Sequence, residues 1–235
     1  RRHYQHPIII SHDGAVSKRI AKTFAQQWKV TTGKHPETVF FEQGKKMQAN
    51  LKTSLDVDLS QRRIKQLKQY IKQPLKTESR NRRDVDMIYL IGTPQETRLL
   101  KPYVDVNTSP FAKVIPIFAS SRSHSAKNDE SDSPDLKGLI FTEIPWLLNS
   151  EQQNKPLAQL SHALWPQRSD SLQRIFAMGF DSLSLINKLE RMKDSPFIRH
   201  FGQTGTLKLG KNNILSRSLL WGSYRKDKVL EIVVE

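Results

Sequence analysis

The chain has 235 residues, 37% of them hydrophobic and 26% charged, and 38 Lys and Arg against 23 Asp and Glu give a net charge of +15. That length supports one large domain or two lobes with a substantial core. The absence of cysteine excludes a disulfide scaffold, a Cys-ligated zinc, an iron–sulfur cluster and a Cys nucleophile, and no run approaches the ~20 apolar residues of a membrane span.

The charge is uneven. Residues 1–83 carry 19 basic and 6 acidic side chains, whereas residues 84–235 carry 19 and 17. The densest stretch, Arg62–Arg83, sets nine cations against Glu78 alone. Such asymmetry suits nucleic acid, an anionic membrane, an acidic protein, or simply a solvated helix face followed by a loop. No signal-peptide pattern and no initiating Met are present, which is compatible with a targeting segment cut away.

In chain order, Pro7–Ser11 is a β-branched run that reads as a buried strand. Val16, Ile20, Phe24 and Trp28 then recur at i, i+4, marking an amphipathic helix with Asp13 as N-cap and Gly33 as its stop. Thr38–Glu42 is a second strand. Residues 45–58 show no regular pattern. Asp58–Gln61 has capping-box spacing and opens a helix with Ile64, Leu67 and Ile71 on one face. Arg62, Arg63, Lys65, Lys68 and Lys72 fill much of the rest, and Pro74 ends it. Leu75–Arg83 reads as a loop.

Asp84–Ile91 is the clearest strand. Thr93, Pro94 and Glu96 combine three helix-start signals, and the helix carries Leu99, Leu100 and Tyr103. Strands follow at Val114–Ala119 and Leu136–Thr142, with a polar tract between them. This β-α-β-α-β-α-β-β order implies a mostly parallel sheet flanked by helices. Beyond residue 142, Pro156–Trp165 is helical. Leu172, Ile175, Phe176, Gly179, Leu183, Ile186 and Leu189 form a long helical stripe. Thr206–Leu209 with Leu215–Tyr224 reads as a hairpin, with a last strand near Val229–Val234.

Catalytic signatures are lacking: there is no phosphate-binding Gly loop, no dinucleotide fingerprint and no Gly-x-Ser-x-Gly elbow. Ser11, His12 and Asp13 are triad residue types, but sequence neighbours do not make a triad, which is defined in space. The seven His include no His-Glu-x-x-His pair, so no metal site is expected. Glu143 and Asp181 are candidates for paired carboxylates, a pattern that more often reflects capping or structural pairing. Ligands of open α/β sheets sit beyond the carboxyl ends of strands, and this singles out Ser11, Asp13, Thr93, Ser120, Ser121 and Arg122 as a candidate ligand cleft. Arg62, Arg63, Lys65 and Lys68 form a candidate partner-binding patch. Aromatics for base stacking are sparse beside it, with Tyr70 alone, so nucleic acid is not expected.

The segments PIIISHDGAVSKRIAKTFAQQW, DMIYLIGTPQETRLLKPYVD, IPIFASSRSH, DLKGLIFTEIPWLL, FAMGFDSLSLINKLERM and GQTGTLKL with LSRSLLWGSYRK occur in this order. Together they resemble the C-terminal domain of the LpoA-type outer-membrane lipoproteins, activators of a class A penicillin-binding protein. The resemblance implies an α/β, two-lobed fold of the type I periplasmic-binding-protein kind, with parallel sheets flanked by helices and the first lobe incomplete. Residues 1–142 would be the second lobe, and 143–235 the remainder of the first lobe plus a terminal β-hairpin. It implies a non-catalytic role without cofactors, in which a class A peptidoglycan synthase is the partner and peptidoglycan a further candidate. It also implies a full-length protein in the periplasm, lipid-anchored to the inner face of the outer membrane, with this portion soluble. A periplasmic receptor closing on a small polar ligand is the alternative. The basic stretch Lys45–Arg83 departs from what the family leads one to expect.

Overall fold

The computed structural model describes all residues except 1–3, 43–44, 72, 75, 110–111, 128–132, 196, 226–227 and 235. Lys72, Leu75 and part of the polar tract before Pro134 therefore lie outside the described residues. The chain forms two compact units: Arg1–Ser123 with Pro134–Ile140, and His124–Ser133 with Phe141–Val234.

The first unit is a βα array. Its strands are β1 (Pro7–His12), β2 (Glu37–Phe41), β3 (Met87–Ile91) and β4 (Ile117–Ala119). They lie in the order β4-β3-β1-β2, and every pairing is parallel. Ile8, Ile9, Ile10, Ile88, Leu90 and Ile91 are buried, as continuous apolar runs in a covered parallel sheet should be. Helix α1 (Ala15–Thr32) packs on β1 and β3. It buries Ser17, Ala21 and Ala25 rather than the larger residues beside them. Small side chains let the helix approach Ile9 and Ile91 closely, while Ile20, Phe24 and Tyr89 close the flanks. The helix stops at Gly33, whose φ of 74° belongs to the left-handed region.

Several expectations need correction here. Asp13 does not cap α1: Gly14 occupies the N-cap without a side-chain bond, and the Asp13 carboxylate pairs instead with Lys18. Residues 45–58 are not irregular, since α2 spans Lys45–Ser54. Met47 and Leu51, with Leu55 just past its end, are a buried i, i+4, i+8 series, too sparse a stripe among polar residues to register as a helix. Helix α3 (Val57–Tyr70) starts before the expected capping box; Asp56 holds its N-cap position in a left-handed conformation, with no side-chain bond. It also ends at Tyr70, ahead of Pro74, and Leu67 and Ile71 on its expected inner face are exposed. Helix α4 (Pro94–Val106) begins as expected, with the reciprocal Thr93–Glu96 capping box in place. Leu136 belongs to a short helix, α5 (Ser133–Leu136), so the following strand β5 is only Ile140–Glu143.

The second unit contains α6 (Pro145–Leu148), α7 (Lys155–Leu164), α8 (Asp170–Leu185) and α9 (Leu189–Asp194). Its strands are β6 (Arg199–Gly202), β7 (Gly205–Leu209), β8 (Leu215–Ser218), β9 (Leu220–Arg225) and β10 (Lys228–Ile232). β6, β7 and β8 form an antiparallel sheet, while β9 pairs antiparallel with β10 and lies between it and β5. The expected hairpin is thus real between β7 and β8 but does not run on to Tyr224. The chain breaks at Leu219, which packs against the Ile144, Trp146, Leu147 and Ala177 cluster, and then changes sheets.

Candidate functional site

The six strand-end residues come from three neighbouring parallel strands. Ser11 is opposite Ile91, and Leu90 is opposite Ala119. Ser11, Thr93 and Ser120 therefore sit at one carboxyl edge of the first unit's sheet, with Asp13 two residues past Ser11 and Arg122 on the short 3-10 turn Ser121–Ser123. The three segments named from the sequence thus meet at one edge of this sheet.

Their side chains are mostly committed to the protein itself. Ser11 is fully buried, and its hydroxyl donates to the His12 carbonyl at 3.2 Å. The Asp13 amide donates to the Phe41 carbonyl at 2.9 Å, and its carboxylate pairs with Lys18. Thr93 Oγ1 accepts from the Glu96 amide at 3.3 Å, while Glu96 Oε2 accepts from the Thr93 amide at 2.7 Å. The other Glu96 oxygen, Oε1, lies 3.4 Å from His12 Nε2 and ties the end of β1 to the start of α4. Ser120 differs: its carbonyl accepts from the Ser123 hydroxyl at 2.6 Å, but its own hydroxyl is buried with no hydrogen-bond partner among the described residues.

The basic patch lies apart, on α3, where Arg62, Arg63, Lys65 and Lys68 are all exposed. Arg63 lines a groove of about 560 Å3 between α3 and the segment after it, together with Arg80, Arg82 and Arg83. Arg82 is the internal fixture of this region. Its guanidinium donates to Glu37 at 2.6 Å and to Asp84 at 2.7 and 3.1 Å, and its amide donates to the Leu55 carbonyl. These contacts hold the Asp84 carboxyl below the usual carboxylate range and raise the Arg82 guanidinium further above its own. Arg63, Arg80 and Arg83 share the groove with Asp56 and Glu78, so its lining carries only a small positive excess.

Two buried carboxylates organise the second unit, and they are not a catalytic pair: each is taken up by its own donors. Glu143, fully buried, accepts from its neighbour's amide (Ile144) at 2.9 Å and from Arg174 Nη2 at 2.5 Å, with His124 Nδ1 at 3.1 Å. The His124 ring stacks on Phe141. Asp181 accepts from the amides of Gln203 and Thr204, each at 2.7 Å, and from the Thr204 hydroxyl at 2.6 Å. Sequence reasoning missed the His124–Glu143–Arg174 cluster because its members are 19 and 31 residues apart and share no motif. It also missed a cleft of about 530 Å3 lined by Trp146, Trp165, Arg168 and Gln173. There, Trp146 Nε1 donates to Gln173 Oε1 at 3.0 Å, and the Arg168 guanidinium lies over the Trp165 ring. Among the described residues no group of three or more His, Cys, Asp or Glu gathers to hold a metal ion, and no helix is long and apolar enough to cross a membrane.

The likenesses of the chain are consistent with one another. The "Penicillin-binding protein activator LpoA" of Aliivibrio fischeri is 30% identical over 224 residues, which cover 95% of this chain and 36% of that protein. Its namesake in Vibrio vulnificus is 30% identical over 218 residues, covering 93% of this chain and 35% of the relative. The chain thus spans about a third of the length of the curated relatives it matches. Among solved structures, the LpoA (YraM) C-domain from Haemophilus influenzae, described as a regulator of PBP1A, superposes with a TM-score of 0.66 at 20% identity, over 97% of this chain and 62% of that one. The leucine-binding protein LivK from Thermotoga maritima superposes with a TM-score of 0.57 at 16% identity, over 98% and 60%. These structures show the fold, a mixed α/β architecture of the periplasmic-binding-protein kind. The LppC putative lipoprotein family matches residues 2–227, nearly the whole chain, and the chain belongs to that family.

Proposed function

We propose that this chain is a non-catalytic module of a periplasmic activator that stimulates a class A penicillin-binding protein, a peptidoglycan synthase, through protein contact. The observation that carries this reading is 30% identity across 95% of the chain to a protein named a penicillin-binding protein activator. The chemistry of the strand edge supports it: Thr93, Asp13 and Ser11 spend their polar groups on the fold, as a scaffold does. The exposed cations of α3 supply the contact surface, meeting an acidic face of the synthase, with anionic wall polymer as a second candidate. The whole protein is held in the periplasm by a lipid on the inner face of the outer membrane. Residues 1–142 act as the second lobe, and residues 143–235 as the returning part of the first lobe with the terminal β-hairpin.

The test is a pull-down with the cognate synthase combined with a glycan-polymerisation assay, performed on the chain and on the full-length protein. Capture with faster polymerisation is expected; a full-length protein that neither binds nor stimulates overturns the reading.

A second reading, a receptor for a small polar ligand, has one observation in its favour, the buried and unpartnered Ser120 hydroxyl. A thermal-shift screen across amino acids, sugars and wall peptides separates the two. A ligand present at a hundred times its Kd adds about 2.7 kcal/mol of stability, and uniformly flat shifts leave the contact reading alone.

A further inference from the structure

The cleft of about 530 Å3 beside Trp165 lies wholly within the second unit, and its size suits a small ligand. On α7 and its C-cap, Ala158, Ser161 and Trp165 line it at i, i+3 and i+7, on a different side of the helix from the exposed Leu160 and Leu164. Trp165 is 53% exposed, so about half of a large indole stands open at the cleft.

The charges here are one-sided. Lys127 and Arg168 line the cleft, and among the described lining residues no carboxylate faces them. Arg168 Cζ lies against two rings, 4.6 Å from the centroid of Trp165 and 4.4 Å from that of Phe176, which steadies its planar donor fork. Its Nη1 is nevertheless buried with no hydrogen-bond partner among the described residues, a costly state that an arriving acceptor relieves. Lys127 is exposed, and its amide donates to Ser125 Oγ at 3.2 Å, a hydroxyl that itself donates to Asp170 Oδ2 at 2.6 Å.

The amides beside these cations are donors too. Gln173 Oε1 already accepts from Trp146 Nε1 at 3.0 Å, and Asn149 Oδ1 from Lys155 Nζ at 2.5 Å, so each has its NH2 group left to give. A ligand that satisfies this lining is an anion, because it meets two cations. It is rich in oxygen acceptors, because it meets amide N–H groups. It also has an apolar face, because it lies along an indole whose π face attracts polarised C–H groups. We propose that this cleft binds a sugar acid. The carboxylate accepts from Arg168 and Lys127, the C–H face of the ring lies along Trp165, and hydroxyl oxygens accept from Asn149 and Gln173. The site shares no residue with the strand edge and stands whether or not the chain stimulates a synthase.

The test titrates the chain and the full-length protein with two matched pairs of sugars, glucuronic acid against glucose and N-acetylmuramic acid against N-acetylglucosamine, and reads binding by calorimetry and Trp fluorescence. At least one acid is expected to saturate both proteins, and its neutral partner to bind about tenfold more weakly or worse, since it lacks the charge-assisted hydrogen bonds. The pair that responds identifies the source, a uronic polysaccharide or a wall glycan. Arg168→Gln and Trp165→Ala should each weaken binding by about tenfold, with Lys127→Met as a second charge variant should either of them fold poorly. The proposal is overturned if neither acid saturates at millimolar concentration, if a neutral sugar binds as tightly as its acid, or if acetate competes as well as the acid does. It is equally overturned if Arg168→Gln and Lys127→Met both bind as the parent does, or if the chain binds and the full-length protein does not.

Discussion

His124 Nδ1 lies 3.1 Å from Glu143 Oε2, and both side chains are buried. Arg174 reaches the same oxygen from α8 at 2.5 Å and also contacts the His124 carbonyl at 3.5 Å. One carboxylate thus fastens the chain entering the second unit at His124 to the end of β5 and to α8. A buried carboxylate is stable only while its donors are present, and its donors are stable only while it is charged. Glu143→Ala takes the shared acceptor away from the buried His124 ring and from Arg174, so a loss of about 1–3 kcal/mol is expected. Chemical denaturation followed by Trp fluorescence checks it. Glu143→Gln keeps the shape and part of the hydrogen bonding, and should fall between the alanine variant and the parent.

Gly202 makes a separate prediction at the other buried carboxylate. A Cβ at this position would lie 2.4 Å from Asp181 Oδ2, and Asp181 cannot retreat because three donors around the β6–β7 turn hold it. Gly202→Ala should therefore destabilise the second unit by about 1–3 kcal/mol, the range for overpacking. Asp181→Ala should do at least as much by leaving two buried amides unsatisfied. If the double variant Gly202→Ala/Asp181→Ala costs the sum of the two singles, the sites are independent and the clash is not the cause.

The parts of this structure legible in the sequence are those governed by local rules. The capping box at Thr93 and Glu96, the left-handed stop at Gly33 and the β-branched runs of β1 and β3 depend on neighbours within a turn of helix or along one strand. The shared edge of the strand ends is legible for the same reason, because a parallel βα array places the ends of its strands together. What escaped depends on distant partners. Lys18 takes Asp13 away from its capping role, Met47 and Leu51 make a helix only because a core receives them, and Glu143 finds its partners 19 and 31 residues away.

His200 should give the second unit a measurable pH response. Burial, followed by the nearby Lys188 cation, lowers its pKa below the usual histidine value, with Asp181 acting weakly in the opposite sense. Lys188 Nζ lies 3.2 Å from His200 Nδ1, a geometry that suits a neutral ring accepting from the ammonium. Because the folded-state pKa lies below the unfolded value of about 6.5, the unfolded chain binds the extra proton first. Stability is accordingly full above pH 6.5 and declines as the pH falls from there through the folded pKa. Lys188→Met removes part of the shift and should flatten this slope, measured as Tm against pH between 7 and 5. An unchanged slope would assign it to other groups.

The α3 patch tests the proposed contact most directly. Arg62, Arg63, Lys65 and Lys68 are exposed, and the ion pair of Arg62 with Asp58 is long at 3.9 Å. Exposed pairs of that kind contribute about 0–1 kcal/mol, so reversing all four charges to Glu should leave the fold intact, with Tm changed by only a few degrees. The change alters the local charge by eight units, which is large for any partner guided by electrostatics. If an acidic synthase surface docks here, association should slow by about tenfold or more at low salt, and the difference should shrink as screening shortens the reach of the charges. Stimulation of glycan polymerisation should fall in parallel. A folded quadruple variant that stimulates the synthase as well as the parent would make the patch a solvated helix face and move the contact elsewhere on the chain.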